Sequence, residues 1–207
     1  MVYEDDTLIA IDKPSGLLSQ PGKTVNDSVV VRVRAARPQA SGSMLVHRLD
    51  MDTSGVLLLA KTPEAHAAMQ QQFEKRQVRK RYRALLEGNM DKAGGVVNLP
   101  LRLDVDRRPY QIVCPEMGRA ASTVWQRVAS RGQYTEVVML PRTGRTHQLR
   151  VHAADRRGLG MPVRGDRLYG EPGERLFLHA EQLTVWHPVF NKELLLTARC
   201  PFAADQV

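Results

Sequence analysis

The chain has 207 residues, and its 30 Lys and Arg against 22 Asp and Glu give a formal net charge of +8 at pH 7. A hydrophobic fraction of 43%, in blocks along the whole chain, argues against disorder, and the scattered glycines and prolines exclude a collagen-like repeat. No apolar run approaches the ~20 residues that span a bilayer, the N-terminus is acidic where a signal peptide is basic, and two cysteines, Cys114 and Cys200, are too few for a disulfide framework. We therefore predict a single domain, residues 1–207, of a reduced, cytoplasmic protein.

The predicted elements, in chain order, are mainly strands. They are a strand at 7–11 ended by a turn at 13–16, a helix from a cap at Asn26 or Asp27 to Arg34, a strand at 55–60, a helix at 63–76, strands at 82–87, 123–130 and 135–140, a helix at 146–155 ended by Gly158, and strands at 176–187 and 193–198. For the second helix, Thr62 is the expected N-cap and Pro63 suits the first position. Many strands without βαβ alternation predict an α+β fold, with a mostly antiparallel mixed central sheet and a few flanking helices.

The basic residues fall into three clusters. The first follows the second predicted helix and enters a strand, the second fills a predicted loop, and the third surrounds the last helix. Their members are Lys75, Arg76, Arg79, Lys80, Arg81 and Arg83; Arg102, Arg107 and Arg108; and Arg142, Arg145, Arg150, Arg156 and Arg157. A charge run is often only a solvated face. Three such clusters in a short domain favour contacts with phosphate groups.

Two local patterns resemble known binding loops but lack essential residues. Gly22-Lys23-Thr24 ends like a phosphate-binding loop, but Leu17 stands where the first glycine is required. Residues 50–55 begin like a calcium loop, but Lys61 occupies the place of the bidentate glutamate. The six histidines form no HExxH pair or carboxylate-rich cluster, so we expect no metal.

The segment 47–55, His-Arg-Leu-Asp-Met-Asp-Thr-Ser-Gly, places a carboxylate in a loop of small polar residues. We expect a short strand at Val46 to lead into this loop and a second strand to follow it. On local sequence alone, Asp50 could simply form an Asx turn with nearby backbone amides. Two other segments favour a chemical role: 79–82, where basic residues precede Tyr82, and 143–152, which begins the last helix.

Three blocks together resemble the motifs of the RluA-type pseudouridine synthases, which isomerise uridine in structured RNA. The first is 12–17, Asp-Lys-Pro-Ser-Gly-Leu. The second is 47–55 with Lys-Arg-Tyr at 80–82 after it. The third is 144–152, echoed by Gly-Asp-Arg-Leu-Tyr-Gly at 165–170 and Leu-His-Ala at 178–180. The match covers nearly the whole chain in family order.

The resemblance implies roles for individual side chains. Asp50 would be the essential catalytic carboxylate, Tyr82 would stack on the flipped base, and Arg150 would pair with Asp50 and hold it ionised. Arg48 would fill the gap left by the departing base, and further RNA contacts would come from Lys80, Arg81, Arg145 and His147. Each has an ordinary alternative: Tyr82 as a half-buried strand aromatic, Arg150 as a surface helix residue. We assign the turn at 13–16 to the wall of the site, without chemistry.

The resemblance also implies a partner and a substrate class. The expected partner is structured RNA without a membrane, the protein acting as a monomer and with no metal or organic cofactor. With the first strand at about residue 7, we expect no N-terminal S4-type RNA-binding domain. The chain length and the block 98–101, Asn-Leu-Pro-Leu, resemble the dual-specificity members that act on large-subunit ribosomal RNA and the tRNA anticodon stem-loop.

Two features of the sequence depart from the family pattern, and three rival functions are compatible with parts of it. Met161-Pro162 replaces the His-Pro of many relatives, and Asp155-Arg156-Arg157 lies in a slightly longer stretch that could contact phosphate or form a solvated helix end. The rivals are the same reaction on a different RNA site, an RNA-binding module without activity, and a metal- or phosphate-dependent nucleotide hydrolase.

Overall fold

A computed structural model describes residues 1–203 and confirms an α+β fold built on mostly antiparallel strands with three helices. The elements are β1 (Tyr3–Glu4), β2 (Leu8–Lys13), α1 (Val29–Ala36), β3 (Ser54–Ala60), α2 (Pro63–Glu74), β4 (Arg79–Glu87), β5 (Gly94–Asn98), β6 (Leu101–Leu103), β7 (Gln111–Val113), β8 (Ser122–Arg131), β9 (Tyr134–Pro141), α3 (Gln148–Ala154), β10 (Leu178–Trp186) and β11 (Glu193–Thr197). None of the described helices is long and apolar enough to cross a membrane.

The described chain forms two compact units. The first comprises residues 1–80 and 180–200, and the second comprises residues 81–179 with the described residues from Pro201 onward. Two of the three boundaries between them fall inside β4 and β10, and the third follows Cys200.

The first unit is organised around β3, which is buried along its whole length. β2 pairs antiparallel with β3, from Leu8 opposite Ala60 to Lys13 opposite Gly55. β1 extends this arrangement beyond β2, and β10 with its antiparallel partner β11 lies on the other side of β3. Gly55 has a φ of +110°, and a Cβ there would collide with the backbone of Ala180. A glycine at the start of β3 is therefore required for the close approach of β10.

Both helices of the first unit begin at side-chain caps. The Thr62 hydroxyl accepts from the Ala65 amide at 3.2 Å, as predicted, but α2 ends at Glu74 because Arg76 adopts a left-handed φ of 56°. The predicted cap of α1 at Asn26 or Asp27 was wrong. Ser28 caps that helix, accepting from the Val31 amide at 3.4 Å.

The second unit contains the antiparallel order β4-β9-β8-β5 and a separate hairpin of β6 and β7. β8 and β9 form a long hairpin with a register shift between Arg127 and Ala129. The core of this unit packs residues from β4, β8, β9 and α3, including Leu86, Trp125, Met139 and Leu149. Helix α3 is shorter than predicted and starts after His147, whose φ is 52°.

Three expectations about local structure were wrong or incomplete. The strand expected at Val46 is absent, and a single bridge between Leu45 and Leu59 takes its place. Arg102 lies in β6 rather than in a loop. The short strands β1, β5, β6 and β7 were not predicted, because segments of two to five residues carry little periodic pattern.

Side-chain contacts, rather than the backbone hydrogen bonds of a strand, hold the segment that precedes Asp50. His47 Nε2 accepts from the Leu58 amide at 3.0 Å, and its ring stacks on Phe73 at 5.0 Å between centroids. The α2 residue Gln70 donates to the Val46 carbonyl at 3.1 Å. Burial, assisted by the charge of Lys80, lowers the pKa of His47 to about 3. The imidazole is therefore neutral at pH 7, as its acceptor role requires.

The neutral His47 predicts a specific acid sensitivity. Because its folded pKa lies below the ordinary 6.5, the unfolded chain binds more protons between those values, and stability is lost as the pH falls from 6.5 toward 3. Between pH 7 and pH 5 the wild type should lose up to about 2 kcal/mol more free energy of unfolding than His47→Gln, which keeps an acceptor without titrating. Urea unfolding of both proteins at the two pH values measures this, and an equal loss would contradict it.

Candidate functional site

Asp50 lies in a tight turn between the Leu45 bridge and β3. Its carbonyl accepts from the Thr53 amide at 3.2 Å, which closes the turn over Met51 and Asp52. Asp50 itself is partly buried, whereas Met51 is exposed and Thr53 is buried. The backbone therefore holds Asp50 at the rim of the first unit.

A buried lysine, Lys13, is hydrogen-bonded to this turn. The ammonium of Lys13, at the end of β2, donates to the carbonyls of Pro14 at 2.9 Å, Leu17 at 2.7 Å and Met51 at 2.8 Å. Its side chain is fully buried, which lowers the pKa of Lys13 to about 8, while the nearby Asp52 and Asp50 carboxylates oppose that shift. Three acceptors satisfy all three N–H bonds of the ammonium, so its burial is compensated.

Residues after Lys13 hold the same turn by further hydrogen bonds. Ser15 Oγ donates to the Asp52 carbonyl at 2.7 Å, and the Gly16 amide donates to the Met51 carbonyl at 3.0 Å. Ser19 Oγ donates to the Leu49 carbonyl at 2.7 Å and accepts from the Leu49 amide at 3.1 Å. The turn at 13–16, to which the sequence assigned only a wall, thus supports the backbone on both sides of Asp50.

Two predicted RNA-binding residues also belong to the first unit. Arg48 is exposed, two positions before Asp50. Lys80 lies in β4, where burial lowers its pKa to about 8, and its charge acts on His47. Both cations are therefore placed near the segment that carries Asp50.

In the second unit, Arg150 forms a buried bidentate ion pair that the sequence did not predict. Its Nε and Nη2 donate to Asp166 Oδ2 at 2.7 Å and Oδ1 at 2.6 Å, and the two side chains are 4% and 0% exposed. Asp166 Oδ1 also accepts from the amides of Leu168 and Tyr169. The Gly-Asp-Arg-Leu-Tyr-Gly block at 165–170 was the available signal for this partner. Pairing of Arg150 with Asp50, which belongs to the other unit, stays a prediction.

The remaining polar residues of the third block connect α3 to its surroundings. Gln148, 3% exposed, donates to the Ser122 carbonyl and to Thr123 Oγ1, each at 3.0 Å. His152 lies 2.9 Å from Thr123 Oγ1 and 3.0 Å from the Leu99 carbonyl, and burial lowers its pKa. These contacts attach α3 to β8 and thereby fix the position of Arg150.

The predicted contacts Arg145 and His147 lie at the start of α3. His147 Nδ1 is 2.8 Å from the Tyr169 hydroxyl, which also accepts from the Gln111 amide at 2.8 Å. Arg145 Nε donates to the Ala120 carbonyl at 3.1 Å. Both side chains are only partly exposed.

Tyr82 and Arg81 lie in β4 of the second unit. Tyr82 is opposite Met139 of β9, and its ring packs partly against the core of that unit. Both side chains are half-buried. Within residues 1–203, no group of three or more His, Cys, Asp or Glu side chains could hold a metal ion.

The Arg150–Asp166 pair predicts a large loss of stability when one partner is neutralised. Asp166→Asn should lower the free energy of unfolding by about 3 kcal/mol, because it leaves a buried guanidinium without its counterion. The matched control is Asp155→Asn, which removes the partner of the exposed Arg157 and should cost less than about 1 kcal/mol. Urea titration of both variants measures the difference. Equal costs would show that burial does not strengthen the Arg150 pair.

Comparison with known proteins identifies the family. A family model for RNA pseudouridylate synthase matches residues 7–155. The dual-specificity RNA pseudouridine synthase RluA of Escherichia coli K12 is 42% identical over 210 residues, which cover 98% of this chain and 93% of that protein. The protein of the same name from Vibrio cholerae is 43% identical over 98% of this chain and 83% of its own length.

Solved structures agree with the sequence comparison. Human RNA pseudouridylate synthase domain containing 1 matches with a TM-score of 0.82 and 26% identity, over 99% of this chain and 84% of that chain. Human RNA pseudouridylate synthase domain containing 4 matches with a TM-score of 0.75 and 26% identity, over 97% and 88%. The chain therefore belongs to the RNA pseudouridylate synthases, and its reaction is the isomerisation of uridine to pseudouridine in RNA.

Proposed function

We propose that this enzyme modifies large-subunit ribosomal RNA, a tRNA anticodon stem-loop, or both, with Asp50 as its essential catalytic carboxylate. The observation that carries the catalytic assignment is the Asp50 turn, whose backbone is held by Lys13, Ser15, Gly16 and Ser19. Such fixing is typical of a side chain that must meet a reacting atom in one orientation. The dual-specificity names of relatives at 42% and 43% identity support the choice of RNA classes.

The reaction requires the target uridine to leave the base stack. Unstacking costs a few kcal/mol, and stacking on an aromatic ring such as that of Tyr82 recovers about 1–3 kcal/mol. Arg48, which is exposed, would occupy the space left in the RNA. Lys80, Arg81, Arg145 and His147 would contact the RNA around the flipped nucleotide.

The chemistry conserves all atoms of the nucleoside. The bond between C1′ and N1 breaks, the uracil rotates, and a new bond joins C1′ to C5. C5 loses its hydrogen as a proton, and N1 gains a proton. In our proposal Asp50 supplies the anionic group at the sugar and base, Arg150 pairs with that carboxylate and orients it, and Tyr82 helps to move the C5 proton.

Three further features belong to the same proposal. Residues 1–207 act as one catalytic domain, the enzyme works as a monomer, and it acts in the cytoplasm. The near full-length match to bacterial relatives supports the first of these, because 98% of this chain aligns with 93% of the Escherichia coli protein.

Tritium release tests the catalytic assignment directly. Ribosomal RNA and tRNA labelled with tritium at uridine C5 would be incubated separately, with EDTA present, with the wild type, Asp50→Asn and Asp52→Asn. The wild type should release tritium to water, Asp50→Asn should be slower by at least about 100-fold, and Asp52→Asn should keep most of the activity.

The outcomes separate the competing functions. Release from only one RNA fraction would identify the substrate class, and release from neither, with another RNA modified, would place the same chemistry on a different site. RNA binding without release from any RNA would overturn the proposal in favour of a silent binding module.

Lys13 should affect turnover rather than RNA binding. Lys13→Met removes the ammonium donor from the carbonyls of Pro14, Leu17 and Met51, and among the described residues only the Gly16 amide still bonds Met51. An Asp50 carboxylate displaced by about 1 Å can cost about 100-fold in kcat. We expect kcat to fall by 10- to 100-fold while the Kd for RNA changes less than about threefold.

The matched control for Lys13 is Lys61→Met. Lys61 is a second buried lysine of the first unit, but its ammonium bonds Glu4 and the Asp5 carbonyl instead of the Asp50 turn. The Lys61→Met variant should lose stability but keep its kcat. Both variants would be assayed at a temperature at which circular dichroism shows that they are folded. An equal loss of kcat in both variants would show that Lys13 has no specific link to Asp50.

A further inference from the structure

The second unit contains a cavity of about 300 Å³ between the β6–β7 hairpin and the end of α3. We call it the hairpin cavity, and its walls include Arg107, Tyr110 and Val113 on the hairpin side and Val151, Arg157 and Tyr169 on the other. Its size is at the lower end of the roughly 300–1,000 Å³ found for small-molecule pockets. It can therefore take one nucleotide-sized group.

The floor of the hairpin cavity is apolar and aromatic. Val113 and Val151 are buried and belong to one small core cluster. Tyr110 and Tyr169 meet edge to face, with 5.7 Å between ring centroids and 82° between planes. Tyr110 is only partly buried, and the Arg107 guanidinium lies over its ring, 5.9 Å from the centroid. A half-exposed ring above an apolar floor is a stacking surface for a nucleobase.

Two oriented guanidinium groups border the cavity. The Arg107 and Arg157 side chains are 71% and 55% exposed, whereas their Asp104 and Asp155 partners are 11% and 20% exposed. Arg107 Nε donates to Asp104 at 2.9 Å, and Arg157 Nε donates to Asp155 at 3.0 Å. Each carboxylate orients its arginine, and the arginines, which are more exposed than the carboxylates, face the solvent. Oriented guanidiniums beside a stacking surface match the phosphate and base of a nucleotide.

We propose that the hairpin cavity binds an unpaired nucleotide of the RNA substrate, outside the site of reaction. Its base would stack on Tyr110, and its phosphates would contact Arg107 and Arg157. This inference rests on the proposed function, because it assigns a second contact to the same RNA. It also gives a role to Arg157, which the sequence left between a phosphate contact and a solvated helix end.

The hairpin cavity adjoins residues already assigned to RNA and catalysis. Tyr169 forms one wall, its hydroxyl is hydrogen-bonded to His147, and the Arg150 guanidinium lies 5.2 Å from its ring centroid. A nucleotide seated there would therefore touch the end of α3 and be separated from His147 and Arg150 by the Tyr169 side chain. The expected effect of losing it is weaker RNA binding, with the chemical step largely unchanged.

The test compares cavity variants with a matched arginine elsewhere. Tyr110→Ala, Tyr110→Phe and the double variant Arg107→Gln with Arg157→Gln would be assayed with a tRNA anticodon stem-loop transcript and with ribosomal RNA. Fluorescence anisotropy would give Kd at several salt concentrations, and tritium release would give KM and kcat. The control is Arg32→Gln, because Arg32 of α1 has a similar exposure and also pairs with an aspartate, Asp27.

We expect Tyr110→Ala to raise Kd and KM by about 5- to 100-fold, Tyr110→Phe to restore both, and kcat to change less than twofold. The double arginine variant, which keeps the apolar floor intact, should reduce the slope of log K against log salt by about 1.4, or about 0.7 per lost phosphate contact. Arg32→Gln should match the wild type.

Unchanged Kd and salt slope in the Tyr110→Ala and double arginine variants would overturn the inference while the enzyme remained active. A drop in kcat with Kd unchanged would overturn it as well, because the cavity would then support the fold of α3 rather than RNA binding. A wild type that binds these RNAs but releases no tritium would instead refute the proposed function. The binding data would still show whether the hairpin cavity binds a nucleotide of the RNA.

Discussion

Hydrogen bonding by the buried Lys13 ammonium is the interaction on which the Asp50 turn of the first unit depends. Burying a charge is costly unless every polar bond is replaced, and Lys13 replaces them with three backbone carbonyls. One of those carbonyls belongs to Met51, next to Asp50, and another to Leu17. The same cation therefore fixes two loops together. Burial lowers the pKa of Lys13, and the nearby Asp52 and Asp50 carboxylates oppose that shift.

Several residues of the motif blocks are buried and hold neighbouring elements in place. In the third block, Gln148 and His152 are buried hydrogen-bonding groups that hold α3 against β8. Arg150 is held in turn by Asp166, whose own carboxylate is fixed by two backbone amides. A guanidinium restrained in this way loses little conformational entropy when it meets an anion.

The local sequence was sufficient to predict an element where the interactions that form that element are themselves local. The start of α2 follows from Thr62 and Pro63, and β3 follows from an unbroken apolar run. The cap of α1 was misplaced by one or two positions because Asn26, Asp27 and Ser28 are all good caps and only packing selects among them. Resemblance to a family predicted Asp50 as the catalytic carboxylate, but the buried contacts around the motif blocks could not be predicted from the sequence. Lys13 and Met51 are 38 positions apart, and Arg150 and Asp166 are 16 apart, so their pairing exists only in the folded chain.

Amide hydrogen exchange in Lys13→Met tests most directly whether the buried ammonium holds the Asp50 turn. The reporters are the Gly16 and Thr53 amides, which bond the carbonyls of Met51 and Asp50, and the reference is the Leu58 amide of β3, which bonds His47. We predict that exchange at Gly16 and Thr53 accelerates at least about tenfold while exchange at Leu58 is unchanged, as expected for a local opening. Equal protection in the variant and the wild type would contradict the account, and so would uniform acceleration at all three amides, which would reduce Lys13 to a contributor to global stability.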